Sequence, residues 1–155
     1  MRFHPAIIVV AALLGGCASS GPLGSETLAA GARPGTARIV IYRSNMPIAL
    51  AIQPDYVIDG KVIAGSQPNG FVVCDLPPGR HEVAVANSAI SEDMFGTGSE
   101  RVILQLRAGS TTYLYAEPQW ALVSIPKVTL KAVGESQGRA DTASLHRING
   151  ACGAA

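Results

Sequence analysis

The chain has little of what active sites are usually built from. Its 155 residues include three histidines, three cysteines and one tryptophan, and only 15% are charged. Neither Cys-x-x-Cys nor His-x-x-x-His spacing occurs, so no ligand set at metal-binding intervals is present and no metal is expected. Gly96-Thr97-Gly98 has no strand-to-helix context, and no glycine-rich phosphate loop is expected there. Long apolar runs are missing too. The one run near the start, Ala6 to Leu14, is far shorter than the roughly 20 residues that cross a bilayer. Aromatic residues make up 5% of the chain, which leaves few large side chains for a binding face.

Charge of one sign is lacking as well. Without Arg2, eleven basic and eleven acidic side chains remain, and a neutral chain with no basic run gives no electrostatic reason to expect nucleic acid. Of the histidines, His4 lies in the apolar leader and His146 near the end. His81 stands on a strand beside valines, the setting of a satisfied core or edge residue rather than a catalyst. Glu92-Asp93 sits in a polar loop and reads as a solvated pair. No catalytic residue and no cofactor are expected.

What is present begins at the N-terminus. Arg2, the apolar stretch to Leu14 and the small residues Gly15-Gly16 before Cys17 have the order of a removable export signal. Leu14-Gly15-Gly16-Cys17 resembles the bacterial lipobox, an aliphatic residue and two small residues before an invariant cysteine. The resemblance implies that residues 1–16 are removed, that Cys17 receives a diacylglyceryl group, and that its new amino group is acylated, commonly with palmitate. It implies dealings with the lipoprotein-processing and sorting machinery. Each buried methylene contributes about 0.8 kcal/mol, so two or three chains anchor a protein firmly. Ala18 follows the cysteine where an aspartate would favour inner-membrane retention, so the resemblance implies an outer-membrane lipoprotein facing the periplasm.

Cys74 and Cys152 remain as an even pair. They either join in a disulfide, which an exported domain permits and which a long closed loop makes worth roughly 4 kcal/mol, or stay apart as a buried small hydrophobe and a tail thiol.

Residues 17–35 are rich in Gly, Ala, Ser and Pro and read as a flexible tether about 25 Å from end to end. From Thr36 short β-rich runs alternate with turns at intervals of about ten residues, which predicts an antiparallel β-sandwich over 36–133. Tyr56-Val57-Ile58 and Lys61-Val62-Ile63 flank Asp59-Gly60, a type I′ hairpin signal. Arg101 to Leu106 and Thr111 to Ala116, joined by Arg107-Ala108-Gly109-Ser110, read as a second hairpin. Residues 134–155 read as a tail with a short helix from Asp141, as N-cap, to Ile148.

The succession Arg38-Ile-Val-Ile-Tyr-Arg43, Val57-Ile-Asp-Gly-Lys61, Leu76-Pro-Pro-Gly-Arg-His81 and Leu106-Arg-Ala-Gly109 resembles the bacterial lipoprotein family called domain of unknown function 2846. The middle is similar to PEGA-type β-domains. Both imply an all-β, prealbumin-like sandwich and bring no established activity. Tyr113, Tyr115 and Trp120 are either core and rim residues or an exposed patch for a protein or glycan partner. The reading is therefore a noncatalytic interaction or structural module of the cell envelope. A periplasm-facing enzyme or enzyme inhibitor is the alternative.

Overall fold

A computed structural model describes residues 20–46, 53–87, 100–119 and 127–152. Cys17, Trp120 and the leader lie outside the described residues. Among the described residues no helix is long and apolar enough to cross a membrane.

Among the described residues nine strands form two packed sheets, the all-β sandwich that the spacing of turns predicts. They are β1 (Ala37–Arg43), β2 (Asp55–Ile58), β3 (Lys61–Gly65), β4 (Gly70–Leu76), β5 (Gly79–Ala86), β6 (Glu100–Leu106), β7 (Thr111–Gln119), β8 (Lys127–Val133) and β9 (His146–Arg147). The first sheet runs β8-β7-β1-β4-β9 and the second β3-β2-β5-β6. Ile39, Ile41, Val72, Cys74 and Leu114 of the first meet Tyr56, Ile58, Val83, Val85 and Leu106 of the second in the main core.

The Asp59-Gly60 hairpin is formed as the sequence predicts. Both turn residues have positive φ, 50° and 77°, and Ile58 pairs with Lys61. The second predicted hairpin is not formed. β6 pairs with β5 in one sheet, while β7 lies in the other, parallel to β1 and antiparallel to β8. The physical reason lies in the turn between them. Gly109 N–H donates to Thr36 O at 2.8 Å, and Arg38 N–H donates to Ser110 O at 2.8 Å, so the start of β1 captures the turn and carries the chain across the sandwich. The first sheet is consequently mixed rather than wholly antiparallel, with β4 and β9 also parallel.

Helix α1 (Gly24–Thr27) is a single turn near the start, and α2 (Glu135–Thr142) follows β8. A short C-terminal helix is therefore present, but its N-cap lies seven residues earlier than the sequence places it. Asp141 stands in its last turn rather than at its N-cap, which is Gly134 in extended conformation. Glu135 and Arg139 pair across one turn at 2.9 Å. Gly138 lies inside α2, where a Cβ would collide with the Tyr113 ring.

The expected tether is corrected over its described part. Residues 20–35 are docked: Gly24 N–H donates to Leu145 O at 2.9 Å, Ser25 N–H to Ala143 O at 3.0 Å, and Arg147 N–H to Pro22 O at 2.8 Å. Leu28 joins Val40, Tyr42, Phe71, Tyr113 and Leu145 in a second core on the outer face of the first sheet. The glycines that resemble linker are small for a reason. A Cβ at Gly21 would meet the Arg147 backbone and one at Gly24 the Thr142 carbonyl. The boundaries read at 36 and 133 therefore dissolve, because residues on both sides of each build one unit.

Candidate functional site

The sequence-predicted site residues do not converge. Tyr113 is 1% exposed, wedged between the first sheet and α2, so it is core and not part of an open patch. Burial raises its phenol pKa. Tyr115 is half-buried at the rim, its ring 5.3 Å from that of Tyr42 and its hydroxyl 3.0 Å from Ser44 Oγ. Of the two alternatives, core and rim is the one these two tyrosines occupy: α2, packed across the strand, lies on the Tyr113 ring, and no open Tyr-x-Tyr patch is left. Trp120, the third candidate, falls outside the described residues.

Tyr42 ties α2 to the sheet. Its hydroxyl donates to Asp141 Oδ2 at 2.6 Å, and burial first, then the carboxylate, drive its pKa far upward. The next residue of β1, Arg43, belongs to a second buried polar group on the opposite face of the strand. Arg43 is fully buried and donates to Ser66 O at 3.0 Å, while Ser66 Oγ donates to the Tyr56 hydroxyl at 2.9 Å. Burial pushes the Tyr56 phenol up to about 12 and the Arg43 guanidinium down.

Cys74 and Cys152 are joined in a disulfide with Cα atoms 4.9 Å apart. Cys74 faces the main core from β4, and the segment after β9 runs back along it, Ala151 N–H donating to Ile63 O at 2.9 Å. The bridge closes the chain end onto the first sheet.

His81 is fully occupied. Its Nδ1 lies 2.6 Å from Asp59 Oδ2 and its Nε2 2.8 Å from Pro77 O, so the ring meets an acceptor at each nitrogen. Such an arrangement favours the doubly protonated imidazolium. Desolvation alone would lower its pKa, but the bonds to Asp59 and Pro77 outweigh it and leave the value raised. Asp59 also accepts from Glu82 N–H at 2.9 Å, and against desolvation the two bonds hold its carboxyl below the usual range. His146 Nδ1 is likewise spent on Gly21 O at 2.7 Å.

Gly134-Glu135-Ser136-Gln137-Gly138 has the spacing of a nucleophile elbow at a strand-to-helix junction, a motif the sequence reading passes over. Its local geometry differs from an elbow. Ser136 lies within α2, is not among the residues of positive φ, and has no hydrogen-bond partner among the described residues. Gly138 serves packing instead.

A cluster unmarked by any motif does converge. Across β1 and β4, Arg38 Nε donates to Asp75 Oδ1 at 2.7 Å and its Nη2 to Oδ2 at 2.9 Å, while Nη1 donates to Ala30 O at 2.5 Å. Arg33 reaches the same carboxylate at 3.3 Å. These bonds, from Arg38 first, hold the Asp75 carboxyl below the usual range in spite of burial. Arg147 on β9 completes the wall of a cavity of about 270 Å³. No sequence signal marked it: the β1–β4 register that sets Arg38 opposite Asp75 appears only in the folded sheet. Arg33 and Arg147 are brought in by segments that read as tether and tail.

No family model matches the chain, and no curated protein matches it.

Proposed function

We propose that the protein is a lipid-anchored lipoprotein of the bacterial cell envelope, held through Cys17 in the outer membrane and facing the periplasm. Its β-sandwich then acts as a noncatalytic interaction or structural module for an envelope protein or glycan, in keeping with its resemblance to domain of unknown function 2846. The observation that carries the reading is the lipobox-like Leu14-Gly15-Gly16-Cys17 ahead of a domain closed by a disulfide. A structural disulfide belongs to an oxidising compartment, and an export signal leads to one.

The reading brings a change of geometry to the anchor. Three residues, Ala18, Ser19 and Ser20, lie between Cys17 and the docked Gly21, so the chain can span at most about 14 Å there. The domain sits close against the bilayer surface rather than on a long tether.

Cys17→Ser tests the anchor directly. It moves the protein from the membrane fraction to the soluble periplasmic fraction and abolishes incorporation of a fatty-acid analogue. Unchanged partitioning with this variant overturns the reading.

A further inference from the structure

The cavity beside β4 has a composition that its structural role does not require. Arg38, Asp75, Arg33 and Arg147 line it, with Thr27 on the α1 side and Cys152 of the disulfide beside them. Asp75 is held by the Nε–Nη2 edge of Arg38 and by Arg33 Nε. Three arginines against one carboxylate leave a formal excess of two positive charges. Arg147 is exposed, and its guanidinium has no partner among the described residues. Arg33 spends one edge on Asp75, and its side chain is 52% exposed. The donors left over are planar guanidinium forks, the geometry that binds oxyanions in pairs of parallel hydrogen bonds. At about 270 Å³ the cavity holds the equivalent of about nine waters, more than one oxyanion needs and enough for the group esterified to it.

Position narrows the source. Arg147 lies against Gly21, four residues from Cys17, and its N–H bonds to Pro22 O. With Cys17 anchored, the cavity stands within reach of the headgroup layer, where phosphate is the abundant oxyanion. We propose that the cavity is a phosphate-binding site, and that in the anchored protein it takes the phosphate of a membrane lipid headgroup. The choice of lipid rests on the anchor reading; the phosphate chemistry does not. Occupancy would pin the domain to the surface in one orientation, with the first sheet's covered side toward the bilayer edge.

The test uses the full chain in a nonionic detergent, observed through its arginine Nε–Hε signals in nitrogen-15 NMR. Inorganic phosphate shifts Arg33 and Arg147 saturably and leaves Arg101, on the second sheet, in place. The double variant Arg33→Ala, Arg147→Ala weakens phosphate binding about tenfold or more while the rest of the amide spectrum is preserved. Shifts that fail to saturate, that Arg101 shares, or that survive in the double variant overturn the site. In bilayer discs without added phosphate, the same two signals shift with phospholipid and not with a phosphate-free glycolipid. Shifts with free phosphate alone support the site and overturn the lipid as its source. Because the detergent arm does not depend on Cys17, failure of the site and failure of the anchor read out separately.

Discussion

β1 and β6 are both seven-residue strands, yet they are buried differently. All seven residues of β1 are buried, whereas β6 alternates, with Arg101, Ile103 and Gln105 facing solvent. Their sheets explain the difference. Among the described residues the second sheet has a core on one face, while the first has the main core on one face and, on the other, a cover made of residues 20–35, α2 and Leu145. A strand buried on both sides reads as a continuous apolar run, and Ile39-Val40-Ile41-Tyr42 is one. The contrast teaches that the run in β1 already called for a second cover, which had to come from outside residues 36–133.

The largest effect is expected from emptying the outer core. Phe71→Ala, beneath the cover, is expected to cost about 3–5 kcal/mol in urea denaturation, while Ile103→Ala on the bare face stays within about 0.5 kcal/mol. Equal losses would mean that the cover contributes nothing.

Next in size is the disulfide. Cys152→Ser opens a bridge between residues 78 apart and is expected to lower stability by about 2–4 kcal/mol. It should also raise hydrogen exchange in β9 and the segment after it more than in β6.

Gly138→Ala places a methyl group against the Tyr113 ring, and about 1–3 kcal/mol of destabilisation is expected from overpacking. The same change at an exposed helix position should stabilise, since alanine is the better helix former. A gain in thermal stability at 138 would show that α2 is not seated on the sheet.

The smallest effect belongs to the second sheet, where His81 meets the hairpin turn. His81 has a raised folded pKa, so its contribution is complete below its ordinary value of 6.5 and fades as pH rises through the folded value. Asp59 has a lowered one, so its contribution is present above its ordinary value of 3.8 and is lost as pH falls through the folded value. The latch is thus fullest between those two ordinary values. His81→Gln should flatten the alkaline-side decline of stability around neutral pH. A slope unchanged by the substitution would assign that decline to other groups.

How much of this was legible in the sequence differs by element. Asp59-Gly60 specified its hairpin because both φ requirements are local. The turn at 107–110 has equally good turn chemistry, but the choice of partner for β7 depends on bonds to Thr36 and Arg38, some seventy residues away, which no local pattern records. The cover was unreadable for a different reason. Gly21, Gly24 and Gly138 look like flexibility, while their actual use is close backbone approach, and composition cannot separate the two. The arginine cavity was hidden likewise. Its members come from a segment that reads as tether, from two strands and from a segment that reads as tail, and only the fold assembles them.

In the proposed function Cys17 anchors a disulfide-closed domain directly at the membrane. The most direct measurement is the intact mass of the protein extracted from membranes and alkylated without reduction. The expected result is a chain that begins at Cys17, carries its lipid and has no alkylated thiol. A chain that retains residues 1–16, or a lipid-free Cys17 with alkylated Cys74 and Cys152, would contradict it.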